Sequence, residues 1–250
     1  MTVLVTGGAG YIGSHMVHAL VDVGERVVVL DNLATGFDWA IAKGASLVIG
    51  DVGDRPCVAA LIAEHRVDAV VHFAASTVVP DSVHDPLGYY HNNTVNSHAL
   101  IESAVKGGVR HFIFSSTAAV YGNPERVPVR EYDATVPMSP YGSSKLMTEI
   151  MLRGAASAHG LRYVILRYFN VAGADPLGRT GQSSKRATHL VKVSVETALG
   201  LRPGCLRQFG TIFMCPISCA RIPMRWRICA AAAFPPRSIA VTAGVFPCSR

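Results

Sequence analysis

The chain has little charge and, over most of its length, almost no cysteine. Charged residues make up 16% of its 250 residues, and Cys57 is the only cysteine before residue 205. It also has no stretch of about 18 strongly apolar residues free of charge and proline, which argues against a transmembrane helix. No basic segment with a cleavage site precedes the first apolar run, and scarce cysteine fits a reducing compartment. We therefore expect a cytoplasmic protein that does not bind membranes.

The net charge of +6 is concentrated in one part of the chain. Basic and acidic residues balance over residues 1–204, whereas residues 205–250 contain six arginines and no acidic residue. Five of the six cysteines also lie in residues 205–250. A basic protein ordinarily suggests nucleic acid as a partner. Because the first 204 residues are neutral overall, we expect no nucleic-acid partner.

Short apolar runs alternate with helical patterns up to residue 204. The predicted strands are rich in Val, Ile and Phe and cover Val3–Thr6, Arg26–Leu30, Ser46–Ile49, Ala69–Phe73, His111–Ser115 and Tyr163–Arg167. The predicted helices cover Ile12–Val23, Arg55–His65, a long segment near Pro86–Lys106, and Tyr141–His159. Strands of four or five residues separated by helices favour βαβ units with both sheet faces covered. The sequence thus predicts the α/β class with a doubly wound parallel sheet.

A glycine-rich loop joins the first predicted strand to the first predicted helix. Gly7, Gly10 and Gly13 have the spacing G-x-x-G-x-x-G. Glycines at such a turn let the N–H groups at a helix start approach a pyrophosphate, which the helix dipole also favours. The second strand runs into Asp31, whose carboxylate suits an adenosine ribose hydroxyl and repels a 2′-phosphate. We therefore predict a dinucleotide site that prefers NAD over NADP. Asp51, after the third strand, either faces the adenine or is a turn acid.

A second motif carries the chemistry. Tyr141 and Lys145 are four residues apart on a predicted helix, so both side chains lie on one face. Thr117 follows a predicted strand that ends in Ser-Ser. A phenol has a pKa of about 10, but a nearby ammonium and an oxidised nicotinamide both favour the phenolate. We predict that Tyr141 is the base, that Lys145 activates it, and that Thr117 holds the substrate hydroxyl.

Seven segments resemble the extended short-chain dehydrogenase/reductase family, and the match to its UDP-glucose 4-epimerases is close. Spread over residues 6–178, they are TGGAGYIGSH, LDNL, VVHFAA, YYHNN, FSSTAAVYG, SPYGSSKLM and LRYFNVAGADPLG. The resemblance implies a Rossmann domain with bound NAD, in the NAD-dependent epimerase/dehydratase group. It also implies an isomerase of galactose metabolism, which acts on UDP-sugars. The sugar is oxidised at C4 by hydride transfer to NAD, rotates in the site, and then takes the hydride back on its other face.

The resemblance also implies roles for particular residues. The residues expected to contact NAD are Gly7, Gly10, Tyr11, Ile12, Gly13, Asp31, Asn32, Asp51, Val52, Phe73, Ala74, Ala75, Asn92, Lys145 and Phe169. The residues expected to contact the sugar are Thr117, Tyr141 and Asn170. Homodimerisation through the helices near 86–106 and 141–159 is implied as well; ordinary coverage of the sheet is the alternative.

The same resemblance predicts how the chain divides. Residues 1–180 would form the NAD-binding domain, 181–204 would begin a smaller C-terminal substrate domain, and 205–250 carry none of the family's pattern. We therefore expect that domain to be largely missing, so that NAD binding survives while turnover is lost or very low. The helix near 186–200 would then leave Val191, Val195 and Leu199 partly exposed.

Residues 205–250 have no helical or strand period, and a frameshift explains them. When each codon's third base is joined to the first two bases of the next codon, the chain can be reread as RDYIHVPDLVRAH from Phe209 and as LNCGYGRGFSVLE from Arg237. Both strings are similar to the family's C-terminal half. The coding DNA around codons 200–215 tests this hypothesis. A metal site at Cys215, Cys219 and Cys229 is the weaker alternative, and we expect no metal.

Two other functions compete with that of an epimerase. A nucleotide-sugar dehydratase or decarboxylase is possible within the family, but a dehydratase would favour an acidic pair where Ala118 and Ala119 stand. An NAD-binding remnant without catalytic activity is the other alternative. His72, at a predicted strand end, is interpreted as a packed histidine rather than a ligand.

Overall fold

We describe the protein from a computed structural model, which covers residues 1–184, 190–201, 215–216 and 239–242. The strands in these ranges are β1 Thr2–Thr6, β2 Arg26–Asp31, β3 Ser46–Ile49, β4 Ala69–His72, β5 His111–Ser115, β6 Arg162–Arg167, β7 Val171–Ala172, β8 Cys215–Pro216 and β9 Ile239–Thr242. The helices are α1 Tyr11–Asp22, α2 Arg55–His65, α3 Val79–His84, α4 Pro86–Tyr90, α5 Asn96–Lys106, α6 Pro140–His159 and α7 Leu190–Ala198. Short 3-10 turns cover Asp38–Ala40 and Ala118–Tyr121.

The main sheet is parallel, in the order β3-β2-β1-β4-β5-β6-β9. Strand order therefore runs outward in one direction from β1 to β3 and in the other from β4 to β6. Between β1 and β4 the connections diverge, which opens a crevice at the carboxyl ends of these strands, where such sheets bind ligands. The predicted doubly wound Rossmann sheet is confirmed.

The core lies on both faces of the sheet because successive side chains of a strand point to opposite faces. Leu4 packs with the aromatic residues of β5 and with Leu100 of α5 on one face. Val3 and Val5 pack with Met16 of α1 on the other face. All five residues of β1 are buried, as expected for a central strand covered by helices on both sides.

The helical region before β5 is more broken than the sequence predicts. The segment near Pro86–Lys106 consists of α4, a π-helical turn over His91–Val95, and α5. Within this turn the carbonyl of Asn93 accepts hydrogen bonds from the hydroxyl groups of Ser97 and Thr148, at 2.5 and 3.2 Å. Side-chain donors of this kind compete with regular helical bonding. The sequence also missed α3, whose six residues are too few to show a helical period.

The later residues contain one confirmed prediction and one error. Val191, Val195 and Leu199 are 41%, 52% and 67% exposed, so the expected exposure of the helix near 186–200 is confirmed. Because residues 205–250 show no strand period, the sequence analysis missed β8, which pairs with β7, and β9, which pairs with the edge of β6. Ile, Val and Thr are strand formers, and an unpaired edge offers free N–H and C=O groups. The remainder of 205–250 lies outside the described residues. It includes Cys219, Cys229 and most of the residues on which the frameshift hypothesis rests.

Among the residues that the structure describes, no helix combines the length and apolar character needed to cross a bilayer.

We predict that Leu4→Ala lowers the free energy of unfolding by about 2–5 kcal/mol, because it leaves a cavity in the fully buried central strand. Leu177 is 75% exposed, so Leu177→Ala is the matched control and should change stability by less than about 0.5 kcal/mol. Urea denaturation followed by circular dichroism measures both. Equal midpoints for the two variants would contradict the assigned core.

Candidate active site

The glycine-rich loop lies at the crevice between β1 and β4. Gly7 has a positive φ of 71°, and a Cβ on it would lie 2.5 Å from the backbone nitrogen of Ala74. A Cβ on Gly13 would lie 2.1 Å from the carbonyl oxygen of Gly7. Gly10 is the N-cap residue of α1. Only glycine lets the backbone pass this closely, so the loop presents main-chain N–H groups at the positive end of a helix.

The carboxylate of Asp31 is fixed against this loop. It is buried at the end of β2 and accepts hydrogen bonds from the N–H of Ala9 at 2.9 Å and of Leu33 at 2.8 Å. The predicted ribose acid and the predicted phosphate loop are therefore in direct contact. Each carboxylate oxygen can accept a further hydrogen bond.

Asp51 is a turn acid in this structure. Its carboxylate accepts from the N–H of Gly53 at 2.8 Å and from the side-chain amides of Asn96 and Asn32 at 3.1 and 3.3 Å. Val52 is buried beside it. An adenine contact by Asp51 stays a prediction, but the hydrogen bond to Asn32 brings two predicted cofactor residues together.

The loop after β4 completes this side of the crevice. The N–H groups of Phe73 and Ala74 both donate to the carbonyl oxygen of Thr6, which holds Phe73, Ala74 and Ala75 beside the phosphate loop. The side chain of Asn92 donates to the hydroxyl group of Ser76 at 2.8 Å.

A cavity of about 470 Å³ lies between the turn after β3 and the π-helical turn at His91–Val95. Its lining includes Asp51, Asn92 and Asn96, with Arg55 and His91 at its polar wall. Two of the predicted cofactor residues therefore border open space.

Tyr11 and Ile12 begin α1 beside the crevice. The hydroxyl group of Tyr11 donates to the carbonyl oxygen of Gly173 at 2.6 Å. The segment after β7 is thereby tied to the start of α1, and a second hydrogen bond between Ser14 and Thr180, at 2.7 Å, holds it there. Ile12 is half-buried.

The three predicted catalytic residues meet at the carboxyl end of β5. Ser139 caps α6 by accepting from the N–H of Gly142 at 3.2 Å, and the helix then carries Tyr141 and Lys145 on one face. The hydroxyl group of Thr117 faces that of Tyr141, and its hydrogen bonding lowers the pKa of Tyr141. The ammonium group of Lys145 is buried and donates to the carbonyl oxygen of Ser115 at 2.9 Å.

Burial disfavours the charged forms of both Tyr141 and Lys145 in the polypeptide. It raises the pKa of Tyr141, and the hydrogen bond to Thr117 lowers it by less. Burial lowers the pKa of Lys145 to about 7. That Lys145 and an oxidised nicotinamide together favour the phenolate of Tyr141 stays a prediction.

Phe169 and Asn170 follow β6 and lie next to the turn that carries Thr117. The N–H of Ala118 donates to the carbonyl oxygen of Tyr168 at 3.0 Å, which ties the two segments together. Phe169 packs against Val120 and its neighbours, while Asn170 is exposed.

A model of the NAD dependent epimerase/dehydratase family matches residues 3–201. The chain belongs to this family. It is 58% identical over 214 residues to the UDP-glucose 4-epimerase of Azospirillum brasilense, covering 86% of the chain and 61% of that relative. It is 45% identical over 202 residues to that of Halalkalibacterium halodurans, covering 81% of the chain and 60% of the relative. The chain thus spans about three fifths of the length of these relatives.

Solved structures of family members have the same fold. A UDP-glucose 4-epimerase from Brucella ovis, in complex with NAD, superposes with a TM-score of 0.89 at 36% identity, covering 97% of this chain and 77% of that one. One from Bifidobacterium longum, in complex with NAD⁺ and UDP, gives a TM-score of 0.87 at 29% identity, with coverage of 98% and 78%.

Sequence reasoning missed a buried polar layer beneath these family motifs. Glu149 and Arg167 form a buried ion pair, and Ser116 donates to Glu149 at 2.6 Å. Asn93 donates to the hydroxyl group of Ser144, next to Lys145. The spacing offered one signal, because Glu149 follows Tyr141 and Lys145 at intervals of four on the same helix face.

His72 is packed, as the sequence analysis predicts. Its ring lies between the hydroxyl groups of Thr6 and Ser97, at 2.7 Å from each, and stacks on Phe114. Burial, followed by the charge of Lys145, lowers the pKa of His72 to about 3. Over the residues described, no group of side chains is arranged to hold a metal ion.

We predict that His72 makes the folded state sensitive to acid. Below its ordinary pKa of 6.5 the unfolded chain binds a proton that the folded ring rejects down to about pH 3. The free energy of unfolding should therefore fall, by up to about 1.4 kcal/mol per pH unit, as the pH drops from 6.5. Urea midpoints between pH 6.5 and 4 measure this slope.

His72→Gln should flatten that dependence, whereas replacing the exposed His159 by Gln should leave it unchanged. A slope that survives in His72→Gln would show that another group is responsible.

Proposed function

We propose that this chain binds NAD and interconverts UDP-glucose and UDP-galactose by transient oxidation at C4 of the sugar. The observation that carries the proposal is that Tyr141, Thr117 and the buried Lys145, which donates to the Ser115 carbonyl at 2.9 Å, meet at the same sheet edge as the glycine-rich loop. The chain is 58% identical in sequence to a UDP-glucose 4-epimerase, and this supports UDP-glucose and UDP-galactose as the substrates.

The residues present fit NAD. A pyrophosphate can approach main-chain N–H groups where glycine leaves room, and Gly7 and Gly13 both stand at such positions. The Asp31 carboxylate, fixed by Ala9, would accept the ribose hydroxyl groups and would repel the phosphate of NADP. When bound, NAD supplies a hydride acceptor and a positive nicotinamide ring.

The described side chains then divide the reaction among themselves. Thr117 orients the 4′-hydroxyl of the sugar, and Tyr141 removes its proton as the C4 hydride leaves. Lys145 sits one turn behind Tyr141, and its pKa near 7 lets it carry or release a proton at neutral pH. After the 4-keto sugar has turned over, Tyr141 returns the proton and the hydride returns to the opposite face.

The dehydratase alternative lacks support at the turn after Thr117. Dehydration needs an acid and a base beside the sugar, and the turn Ala118–Tyr121 begins with two alanines. The surrounding hydroxyl and ammonium groups suit a reversible proton transfer at one oxygen. An epimerase therefore remains the function that this set of side chains fits best.

The purified chain should release NAD on denaturation, or bind added NAD more tightly than NADP, and any conversion of UDP-galactose to UDP-glucose should require Tyr141. Chromatography of the released nucleotide and a coupled assay for UDP-glucose measure the two properties. Tyr141→Phe should keep NAD and lower conversion by about 10²–10⁴-fold, because it removes only the proton-transfer group.

Tyr132→Phe is the matched control, since Tyr132 is exposed away from β5, and it should leave conversion unchanged. Failure to bind NAD would contradict the proposal, and so would full activity in Tyr141→Phe.

Two expectations from the sequence remain open to the same assay. Because residues 205–250 carry none of the family's sequence pattern, turnover is expected to be lost or very low. NAD binding without conversion would support that expectation and the alternative of an NAD-binding remnant. Conversion at a rate usual for an enzyme would reject both.

We further propose that the chain forms a homodimer through the helical segment near 86–106 and α6. These lie side by side and expose Leu87, Val95, Met147 and Ile150, with Val83 of the neighbouring α3 beside them. Apolar side chains clustered on neighbouring helices favour burial against a partner. Coverage of the sheet, the alternative weighed for these helices, does not account for their outward apolar side chains.

Replacing Leu87 and Ile150 together by Glu should convert a dimer to a monomer, because two charges would be buried in the interface. Light scattering after gel filtration measures the mass. Leu177→Glu introduces a charge at an equally exposed leucine elsewhere and should leave the dimer intact. A monomeric parent chain would contradict the proposed interface.

A further inference from the structure

The face of α6 that carries the catalytic pair continues for one more turn. Tyr141, Lys145 and Glu149 are spaced by four residues, and each contacts the end of β5. Tyr141 bonds to the Thr117 hydroxyl, Lys145 to the Ser115 carbonyl, and Glu149 to the Ser116 hydroxyl at 2.6 Å. Three successive residues of one segment are thus held by three successive turns of one helix.

Glu149 is itself held rigidly. It is fully buried, and Arg167 at the end of β6 binds both of its oxygens, at 2.9 Å through Nε and 2.5 Å through Nη2. Paired bonds between a guanidinium and a carboxylate fix orientation as well as distance. Arg153 adds a third donor at 3.1 Å.

Arg167 carries this constraint to the other side of the site. Its Nη1 atom donates to the hydroxyl group of Tyr121 at 3.0 Å, and its guanidinium lies 5.0 Å from the centre of that ring. Tyr121 ends the 3-10 turn that Thr117 caps. The turn bearing Thr117 is therefore anchored at its start by Ser116 and at its end by Tyr121, both through the same ion pair.

We propose that Ser116 and Glu149 are positioning residues, which hold the Thr117 hydroxyl facing that of Tyr141. This inference rests on the proposed function, in which Thr117 places the sugar hydroxyl against the base. Glu149 acts through Ser116 and Arg167 and does not contact the reacting atoms. A hydroxyl group that is already oriented needs no reorganisation during the reaction. A less firmly held Thr117 hydroxyl should therefore lower the rate.

The state of the Tyr141–Thr117 hydrogen bond can be measured without turnover, because this bond lowers the pKa of Tyr141. We would label tyrosine with ¹³C at Cζ and titrate the chain by NMR, alone and saturated with NAD. The Tyr141 signal is identified by its loss in Tyr141→Phe, and Thr117→Val shows the full effect of losing the bond.

Ser116→Ala removes one hydroxyl and leaves the ion pair whole. We expect it to raise the pKa of Tyr141 by about 0.5–1, corresponding to one weakened hydrogen bond, and to approach the value in Thr117→Val. Ser103→Ala removes another buried serine hydroxyl, on α5, and should leave that pKa unchanged. In an active chain, kcat should fall about tenfold in Ser116→Ala with little change in KM.

Glu149→Gln should raise the pKa of Tyr141 as well, but it leaves Arg167 buried without its charged partner and can unfold the chain. Ser116→Ala therefore decides the question, with urea midpoints confirming that it is as stable as Ser103→Ala. An unchanged Tyr141 pKa in Ser116→Ala, beside a raised one in Thr117→Val, would overturn the proposal.

The NAD-binding assay separates this result from failure of the proposed function. Because Tyr141 and Thr117 are bonded in the chain without cofactor, the titration gives an answer even where NAD does not bind. A chain that binds no NAD but shows the expected pKa rise would keep the positioning network and reject the epimerase proposal.

Discussion

The ion pair between Glu149 and Arg167 is the contact on which the active-site end of the sheet depends. Two charges removed from water are tolerated only when each satisfies the other and further bonds use the remaining donors and acceptors. Here Ser116, Arg153 and Tyr121 supply those bonds. Because the partners come from β6, α6 and the turn after β5, the pair fixes these elements relative to one another.

A largely buried polar layer results at the carboxyl edge of the sheet. His72 and Lys145 are buried and Tyr141 is half-buried, and desolvation shifts the pKa of each in the direction that favours its neutral form. Surroundings of low dielectric constant strengthen the electrostatic interactions of any charge that binds there later. The polypeptide therefore provides a preorganised site in which burial favours the neutral forms of these three side chains. The positive ring of an oxidised nicotinamide would supply the charge that favours a phenolate.

Sequence pattern was sufficient for the sheet and for the motifs. Six strands and the helices between them follow from apolar runs of four to six residues, and the glycine spacing with Asp31 marks the loop at the switch point. The π turn at His91–Val95 and the strand β9 were missed. Both depend on partners distant in sequence: the Thr148 hydroxyl of α6, 55 residues from Asn93, in one case, and the open edge of β6 in the other.

By itself, the sequence determined the doubly wound parallel sheet and the family and predicted Tyr141, Lys145 and Thr117 as the catalytic residues, because these depend on local period and on spacing within short segments. Only the tertiary structure decided how those three side chains are held and charged. Burial sets the pKa of Lys145 and Tyr141, and Ser116 finds Glu149 33 residues away. Desolvation and long-range pairing arise when strands and helices pack together, and no local pattern records them.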